Sequence, residues 1–475
     1  MQWFHPDERQ LLEFAHFHAH HRLHPFLEST LHLRNQTLPW LFSLLVRACD
    51  LFQSGSPRRV LFVFHVLIGT CSWITLALLT ENFRKSHPQQ DDLADSLGWT
   101  FALLWVFPWI YSRGLLEAVS FIPAGLLYLA LQNDSLGMAG FWAGCTSILR
   151  YPSALWSLGA AWIHVWKRTS RKTPLSAIFK SLLISLFRPS LGFLLAIALG
   201  GIADYFTYGS FLKSAPAYWN FNRPHGPVAQ TFGADSLWVY YRWFEYALTP
   251  WVAPVFIIIA IHALLKNRLL LFFTLPYLLG HVWTPHREPR FMIPLLPFLI
   301  LAIFQSIARD DFSFIRIAVR KWPRLVASLV ALHLAVNFCL YPLQGWAQWN
   351  SAQGVLLRSF NFLKASPRLL ITRADPLMDA IVPALLPWSD SQCRLHREMR
   401  EPFLPEPFYL FSKERPASCA PLTDLTSHLH SMTYERWLRV RTASLWLCPA
   451  EELKTICPTG LKAAPQGEPF TGRKL

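Results

Sequence analysis

Apolar runs separated by short polar breaks dominate residues 60–341. The clearest is Val60–Leu79, which carries no charged residue. Others lie near 97–111, 114–131, 136–149, 151–166, 190–206, 250–265, 269–284, 291–308 and 325–341. Several fall short of the ~20 residues that a straight helix needs to cross the hydrocarbon, and lengthen into flanking Trp, Tyr and Arg. The pattern predicts about ten transmembrane helices. Pro108, Pro123, Pro276, Pro294 and Pro297 lie inside these runs, which membrane helices tolerate where neighbours satisfy the freed carbonyls. A weaker run, Leu38–Phe52, contains Arg47 and Asp50. It is expected to lie in the interface with Trp40 and Arg47 at headgroup level. Pro174–Phe187 is expected to be a second interfacial piece. Beyond 342 the text turns polar and proline-rich, with a strand-like Leu369–Thr372, and predicts a small α/β domain.

Composition narrows the class. Of 475 residues, 52% are hydrophobic and 15% charged, with a mean hydropathy of +0.26. The usual charged share is about a quarter, so an ordinary soluble enzyme and a disordered chain are both excluded. The formal charge is +15. Nucleic acid is one explanation of such a balance; in a membrane protein, cytoplasmic basic loops are the commoner one. The basic clusters Lys167/Arg168/Arg171/Lys172, Lys266/Arg268 and Arg309/Arg316/Arg320/Lys321/Arg324 are separated by pairs of expected spans, so all three can face the cytoplasm. That leaves no charge for nucleic acid to explain. Residues 1–58 then form an extracytoplasmic first loop, 59–341 the multi-span domain, and 342–475 an extracytoplasmic C-terminal domain. No signal peptide is expected in the His-rich, charged stretch 1–37.

Cysteine and histidine add little. Cys49, Cys71, Cys145 and Cys339 lie in apolar runs and read as small buried hydrophobes. Cys393, Cys419, Cys448 and Cys457 lie in the polar C-terminal part, form no C-x-x-C, and leave disulfide pairing open. His16, His18, His20, His21 and His24 cluster without ligand spacing, so no metal is expected. Neither a Gly-rich phosphate loop nor a G-x-S-x-G elbow is present.

The remaining charges collect on the extracytoplasmic side of this topology: Asp7/Glu8, Arg113/Glu117, Arg150, Asp204, the loop around Asn220 and Asn222, and His286–Phe291. Each has a bland reading. Asp7 and Glu8 suit a solvated turn. Arg113 and Glu117, four apart, suit an ion pair on one helix face. Arg150 can snorkel, and 286–290 can be a charged loop. Together, paired acids, arginines and a histidine at one membrane face suit a site for an anionic lipid substrate.

The same residues resemble a family. HREPRF, running into MIPLLPFLILAI, resembles the H-K-E-x-R-F signature of lipid-phosphomannose-dependent α-mannosyltransferases, with Arg287 for Lys. These are glycosyltransferases of the family 22 type. They include the GPI third-mannose transferase and N-glycan mannosyltransferases of the endoplasmic reticulum. HPDERQLLEFAH resembles the family's first-loop H-P-D-E-x-x-Q-x-x-E-x-A-H, one residue shorter between Glu8 and Gln10. LHLRNQTLPWLF resembles R-S-x-x-x-P, through Arg34 with Asn35 for Ser, and SILRYPSALW resembles L-R-P-T with Tyr151 inserted. DYFTYGSF with NFN resembles D-x-x-x-Y-G and F-N, and SRGLLEAVS is a weak match to R-T-x-S-N-x-L-E. The matches run in family order from residue 5 to about 298. The family normally carries a helix ahead of the first-loop motif, and after 342 little matches.

The resemblance implies an all-α polytopic GT-C fold and transfer of mannose from a polyprenyl (dolichyl) phosphate to a glycan or glycolipid hydroxyl, with inversion to an α linkage. Asp7 is the implied base, with Glu8 its alternative. His286, Arg287, Arg290, Arg113 and Arg150 would bind the donor phosphate. Glu288, Glu117, Arg34, Asp204 and Asn222 would hold the acceptor or support the site. Membrane lipids are the other partners, and no cofactor is implied. The location would be the endoplasmic reticulum membrane in a eukaryote or the inner membrane in a bacterium. A GT-C transferase for another lipid-linked sugar, an inactive relative and a lipid-handling protein are the alternatives.

Overall fold

The structure is a computed structural model. It describes residues 31–51, 57–169, 175–223, 236–284 and 286–312, shorter stretches within 11–19, 226–228 and 321–339, and four strands between 370 and 448. The chain divides into two compact units, one of 10–45 with 62–341 and the other of 1–9, 46–61 and 342–475.

Helices make up almost all of the described part before 340. The first are α1 (Thr37–Leu51), α2 (Pro57–Ser86), α3 (Asp91–Leu103), α4 (Val106–Ile110), α5 (Leu116–Gln132) and α6 (Leu136–Leu149). A 3-10 turn at Tyr151–Ala154 leads into α7 (Leu155–Thr169), α8 (Leu175–Tyr208) and α9 (Ser214–Asn222). Then come α10 (Trp238–Leu248), α11 (Ala253–Lys266) and α12 (Arg268–Trp283), a second 3-10 turn at Pro289–Leu295, and α13 (Leu296–Ala308).

Among the described residues, three segments are long and apolar enough to cross a membrane: Phe62–Ser86, Phe187–Tyr208 and Pro289–Ala308. The pair α10–α11, bent by 107°, makes a fourth if counted as one span. On α11 the exposed residues Val255, Ile258, Ile261 and Leu265 form one apolar stripe. An exposed apolar face of that kind belongs in lipid rather than water.

The structure revises several expected elements. The run 97–111 is broken at Leu104, whose backbone is extended (ψ 109°), and α4 restarts beyond it. Pro108 sits in the first turn of α4, where its missing N–H leaves no internal bond unmade. The expected interfacial piece 174–187 is not a separate element: α8 runs continuously through it and through Pro189. Asn220 and Asn222 lie on α9 rather than in a loop. Cys339 is exposed, whereas Cys49 is buried.

Small residues let α6 and α8 touch backbone to backbone. A Cβ on Gly140 would run into the Pro189 carbonyl, and one on Gly192 into the Gly137 carbonyl. Close packing of this kind replaces the hydrophobic driving force that lipid removes. Behind the site lies an aromatic core. Trp156 stacks on Tyr277 (4.4 Å, 19°) and meets Phe298 at 5.1 Å, and Phe273 packs edge-on against Phe298.

In the other unit, strands β1 (Leu370–Thr372), β2 (Phe408–Ser412), β3 (Ala420–Pro421) and β4 (Ser444–Cys448) form one sheet in the order β1-β2-β4-β3. β1 runs parallel to β2, with Ile371 opposite Leu410, and the other pairings are antiparallel.

Candidate functional site

Three chain segments far apart in sequence bring their charges to one place. Glu117 sits in the first turn of α5, where a carboxylate is favoured by the helix dipole. Arg150 closes α6: its extended backbone (φ −152°, ψ 110°) ends the helix just before the Tyr151–Pro152 turn. Glu288 is extended (φ −124°, ψ 144°), the conformation imposed on a residue preceding proline. It presents its carboxylate beside Arg290, at the start of the second 3-10 turn.

The side chains form a continuous ionic chain. Arg150 Nη2 lies 3.3 Å from Glu117 Oε1, and Arg290 Nε lies 3.6 Å from the same oxygen. Arg290 also grips Glu288 with two bonds, at 2.5 and 2.8 Å. His286 Nε2 meets Glu288 Oε1 at 2.9 Å. Burial deepens inward: the side chains of His286 and Glu288 are 18% and 26% exposed, that of Arg290 11%, and those of Arg150 and Glu117 5% and 2%. Glu117 Oε2 is buried and meets no hydrogen-bond donor among the described residues. The two carboxylates balance Arg150 and Arg290. Arg113, buried with its guanidinium 4.8 Å from the Trp109 ring, adds positive charge nearby in sequence.

Arg113 and Glu117 do not share a helix face. Residues 111–115 form a turn between α4 and α5, so the spacing of four loses its helical meaning. Glu117 takes its ionic partners from Arg150 and Arg290 instead. Nor does Arg150 snorkel, since it is only 6% exposed. Arg287 points differently from Arg290: its Nη2 donates to the Val282 carbonyl at 2.8 Å, on the exposed rim.

Three tyrosines and a histidine that motif reading passed over hold this chain in position, together with Phe291 of the HREPRF motif. Tyr277 Oη donates to the Phe291 carbonyl at 2.8 Å and receives Arg150 Nη1 at 3.4 Å. Tyr111 Oη donates to the Ile293 carbonyl. His281 Nδ1 donates to the Tyr277 carbonyl at 2.8 Å, which leaves Nε2 to accept from Arg150 at 3.4 Å. Tyr240 Oη donates to the His281 carbonyl at 2.9 Å. The Phe291 ring lies 4.8 Å from the Arg150 guanidinium, a cation–π contact. The available signal was hydroxyl and imidazole groups inside apolar runs, where each needs a partner.

Asp204 belongs to a second buried cluster. Its Oδ1 accepts from Asn35 Nδ2 and the Gln36 N–H, both at 3.2 Å, and its Oδ2 from the Ser214 N–H at 2.9 Å and from the Ser214 hydroxyl. With both oxygens filled, it is a clamp between α8, α9 and the start of α1. Asn35 Oδ1 also accepts from the Thr37 N–H at 3.0 Å, an N-terminal cap for α1. The Arg34 carbonyl accepts from Tyr208 Oη at 3.0 Å. Asn222 Nδ2 bonds the Tyr218 carbonyl one turn back on α9. Tyr151 bridges toward the ionic chain, its hydroxyl 2.5 Å from Ser214 Oγ. His32 is lowered from the usual imidazole value, by burial first and then by Lys213. Replacing Asp204 by Ala orphans buried donors at about 1–3 kcal/mol each. A melting temperature lower by several degrees is therefore expected by differential scanning fluorimetry in detergent, and Asp204→Asn should recover part of it.

Asp7 and Glu8 lie outside the described residues, as do His16, His20, His21, His24, Cys393, Cys419 and Cys457. His18 is described and stacks on Trp40 at 4.2 Å. No protein-family model, no curated protein and no solved structure matches this chain.

Proposed function

We propose that the protein is a membrane-embedded GT-C glycosyltransferase that moves mannose from a polyprenyl phosphate to a glycan or glycolipid hydroxyl. The observation that carries this reading is the buried chain His286–Glu288–Arg290–Glu117–Arg150. Buried ionisable groups among apolar helices are expensive and are retained chiefly where function needs them. This set joins residues of two of the motif matches, SILRYPSALW and HREPRF, with the weaker SRGLLEAVS, in one place.

The chemistry follows from the residue types. The acceptor hydroxyl attacks the sugar's anomeric carbon as the bond from that carbon to the phosphate oxygen breaks. The hydroxyl proton passes to a carboxylate, which the resemblance assigns to Asp7. The departing polyprenyl phosphate gains a negative charge, which Arg290, Arg150 and His286 would stabilise, with Arg113 and Arg287 contributing from the flanks. Glu117 Oε2 is available to receive an acceptor hydroxyl, and Glu288 orients Arg290. Ten spans, with the site on the extracytoplasmic side, complete the proposal.

Mannose transfer from radiolabelled polyprenyl-phosphate-mannose by the full chain in membranes tests it. Asp7→Asn should lower the rate by about 10²–10⁴-fold, the span of general-base contributions. Wild-type inactivity across glycan acceptors, or an unchanged Asp7→Asn rate, would sink the reading.

A further inference from the structure

Arg150 is held from two directions. Its guanidinium is fixed by Glu117, Tyr277 and His281. Its main chain leads straight into the 3-10 turn Tyr151–Ala154, and its carbonyl accepts from the Ser153 N–H at 2.7 Å. Whatever fixes Tyr151 therefore fixes the backbone from which the guanidinium extends.

Tyr151 is fixed by a run of polar side chains, each on a different element. Four donors converge on Asp204: Asn35 Nδ2, the Gln36 N–H, the Ser214 N–H and the Ser214 hydroxyl. Such a set favours the ionised carboxylate, which can only accept. Ser214 thus spends its single hydroxyl proton on Asp204. The bond of 2.5 Å between Tyr151 Oη and Ser214 Oγ then runs from phenol to serine. Direction passes one way, from the turn after α6, through the first residue of α9, to α8 and the residues ahead of α1. Asp204 and Ser214 are fully buried, where a satisfied polar network rigidifies its surroundings. The Tyr151 ring packs separately, 5.2 Å from that of Tyr218, so its hydroxyl can be removed without removing the ring.

We infer that Tyr151, Ser214 and Asp204 form a positioning relay that sets Arg150 in the ionic site. The relay ties one arginine to the elements α1, α8 and α9, none of which supplies a member of the ionic chain itself. The inference deepens the proposed function and rests on its assignment of Arg150 to the donor phosphate.

Tyr151→Phe and Ser214→Ala, in the full chain in nanodiscs, test it with two readouts. Hydrogen exchange should quicken in peptides covering 150–154 in both variants and stay unchanged across α11. For mannose transfer, kcat should fall by about 10–10²-fold, the scale of a small displacement of a reacting-site group. The donor KM should hold within about twofold, because Arg150 is needed most as the phosphate departs. The double variant should be no slower than the slower single one, since both break the same relay. Unaltered exchange at 150–154 would overturn the inference. So would quickened exchange with an unchanged kcat, a loss confined to KM, or losses that multiply in the double variant. A wild-type chain that transfers no mannose would instead overturn the proposed function, and the exchange result would then decide by itself whether the relay holds the turn that carries Arg150.

Discussion

Glu117→Leu is expected to be the most damaging single change at the ionic site. Arg150 and Arg290 both lean on Glu117 Oε1, and Arg150 is almost wholly buried. Removing one member of a buried pair leaves an uncompensated charge, at a cost of about 3–5 kcal/mol. Replacing both members by apolar groups is far milder, because the desolvation penalty goes with the pair. Thermal melts in nanodiscs should therefore show a large fall for Glu117→Leu. Glu117→Leu with Arg150→Met should recover much of that fall. Under the proposed function, mannose transfer should be lost in both, since the double variant restores packing but not the positive charge that would face the phosphate. A single variant as stable as wild type would mean that Glu117 is not the counter-ion the geometry makes it. A double variant that regained transfer as well as stability would remove Arg150 from the proposed donor site.

Sequence reading located the charged members of this site but not the way they connect. Arg150, His286, Glu288 and Arg290 stand out because charges in apolar runs are rare. Glu117 stood out as well, but with the wrong partner. Spacing of four means proximity only if the helix continues between the two residues, and the turn at 111–115 interrupts it. The break at Leu104 has the same origin, since an apolar run does not reveal where its hydrogen bonds stop. Continuity failed in the other direction at α8, where an interfacial piece over 174–187 and a separate run at 190–206 were expected and one long helix runs through Pro189. Tyr277 and His281 were invisible for a different reason: within an apolar run, an aromatic side chain is indistinguishable from core until its polar atom's partner is known. The strand at Leu370–Thr372 was legible, because a short apolar stretch between polar, proline-rich flanks has few other uses.

Gly140→Val should have an effect of comparable size, acting from a distance. Valine adds a branched side chain where the Pro189 carbonyl already fills the space a Cβ would need, and backbone cannot rotate aside as a side chain can. The helices α6 and α8 must separate, and overpacking of this kind costs about 1–3 kcal/mol or more. Gly144, which faces Ala196 and the Phe193 carbonyl on the same seam, would lose its contact as the helices part. Gly137→Ala is the control. A Cβ there meets nothing within 4 Å, and replacing a helical glycine by alanine favours the helix by up to ~1 kcal/mol. Gly140→Val should thus lower the melting temperature while Gly137→Ala leaves it equal or higher. The consequence for chemistry follows from α6 itself, because Arg150 is the residue on which that helix ends. Moving α6 moves a guanidinium held by Glu117, Tyr277 and His281, and a displacement of about 1 Å from productive geometry can cost 10²-fold in rate. Among molecules that still fold, Gly140→Val should therefore slow the proposed mannose transfer at saturating donor. An unaltered turnover number in folded Gly140→Val protein would show that the ionic site does not depend on the seam between α6 and α8.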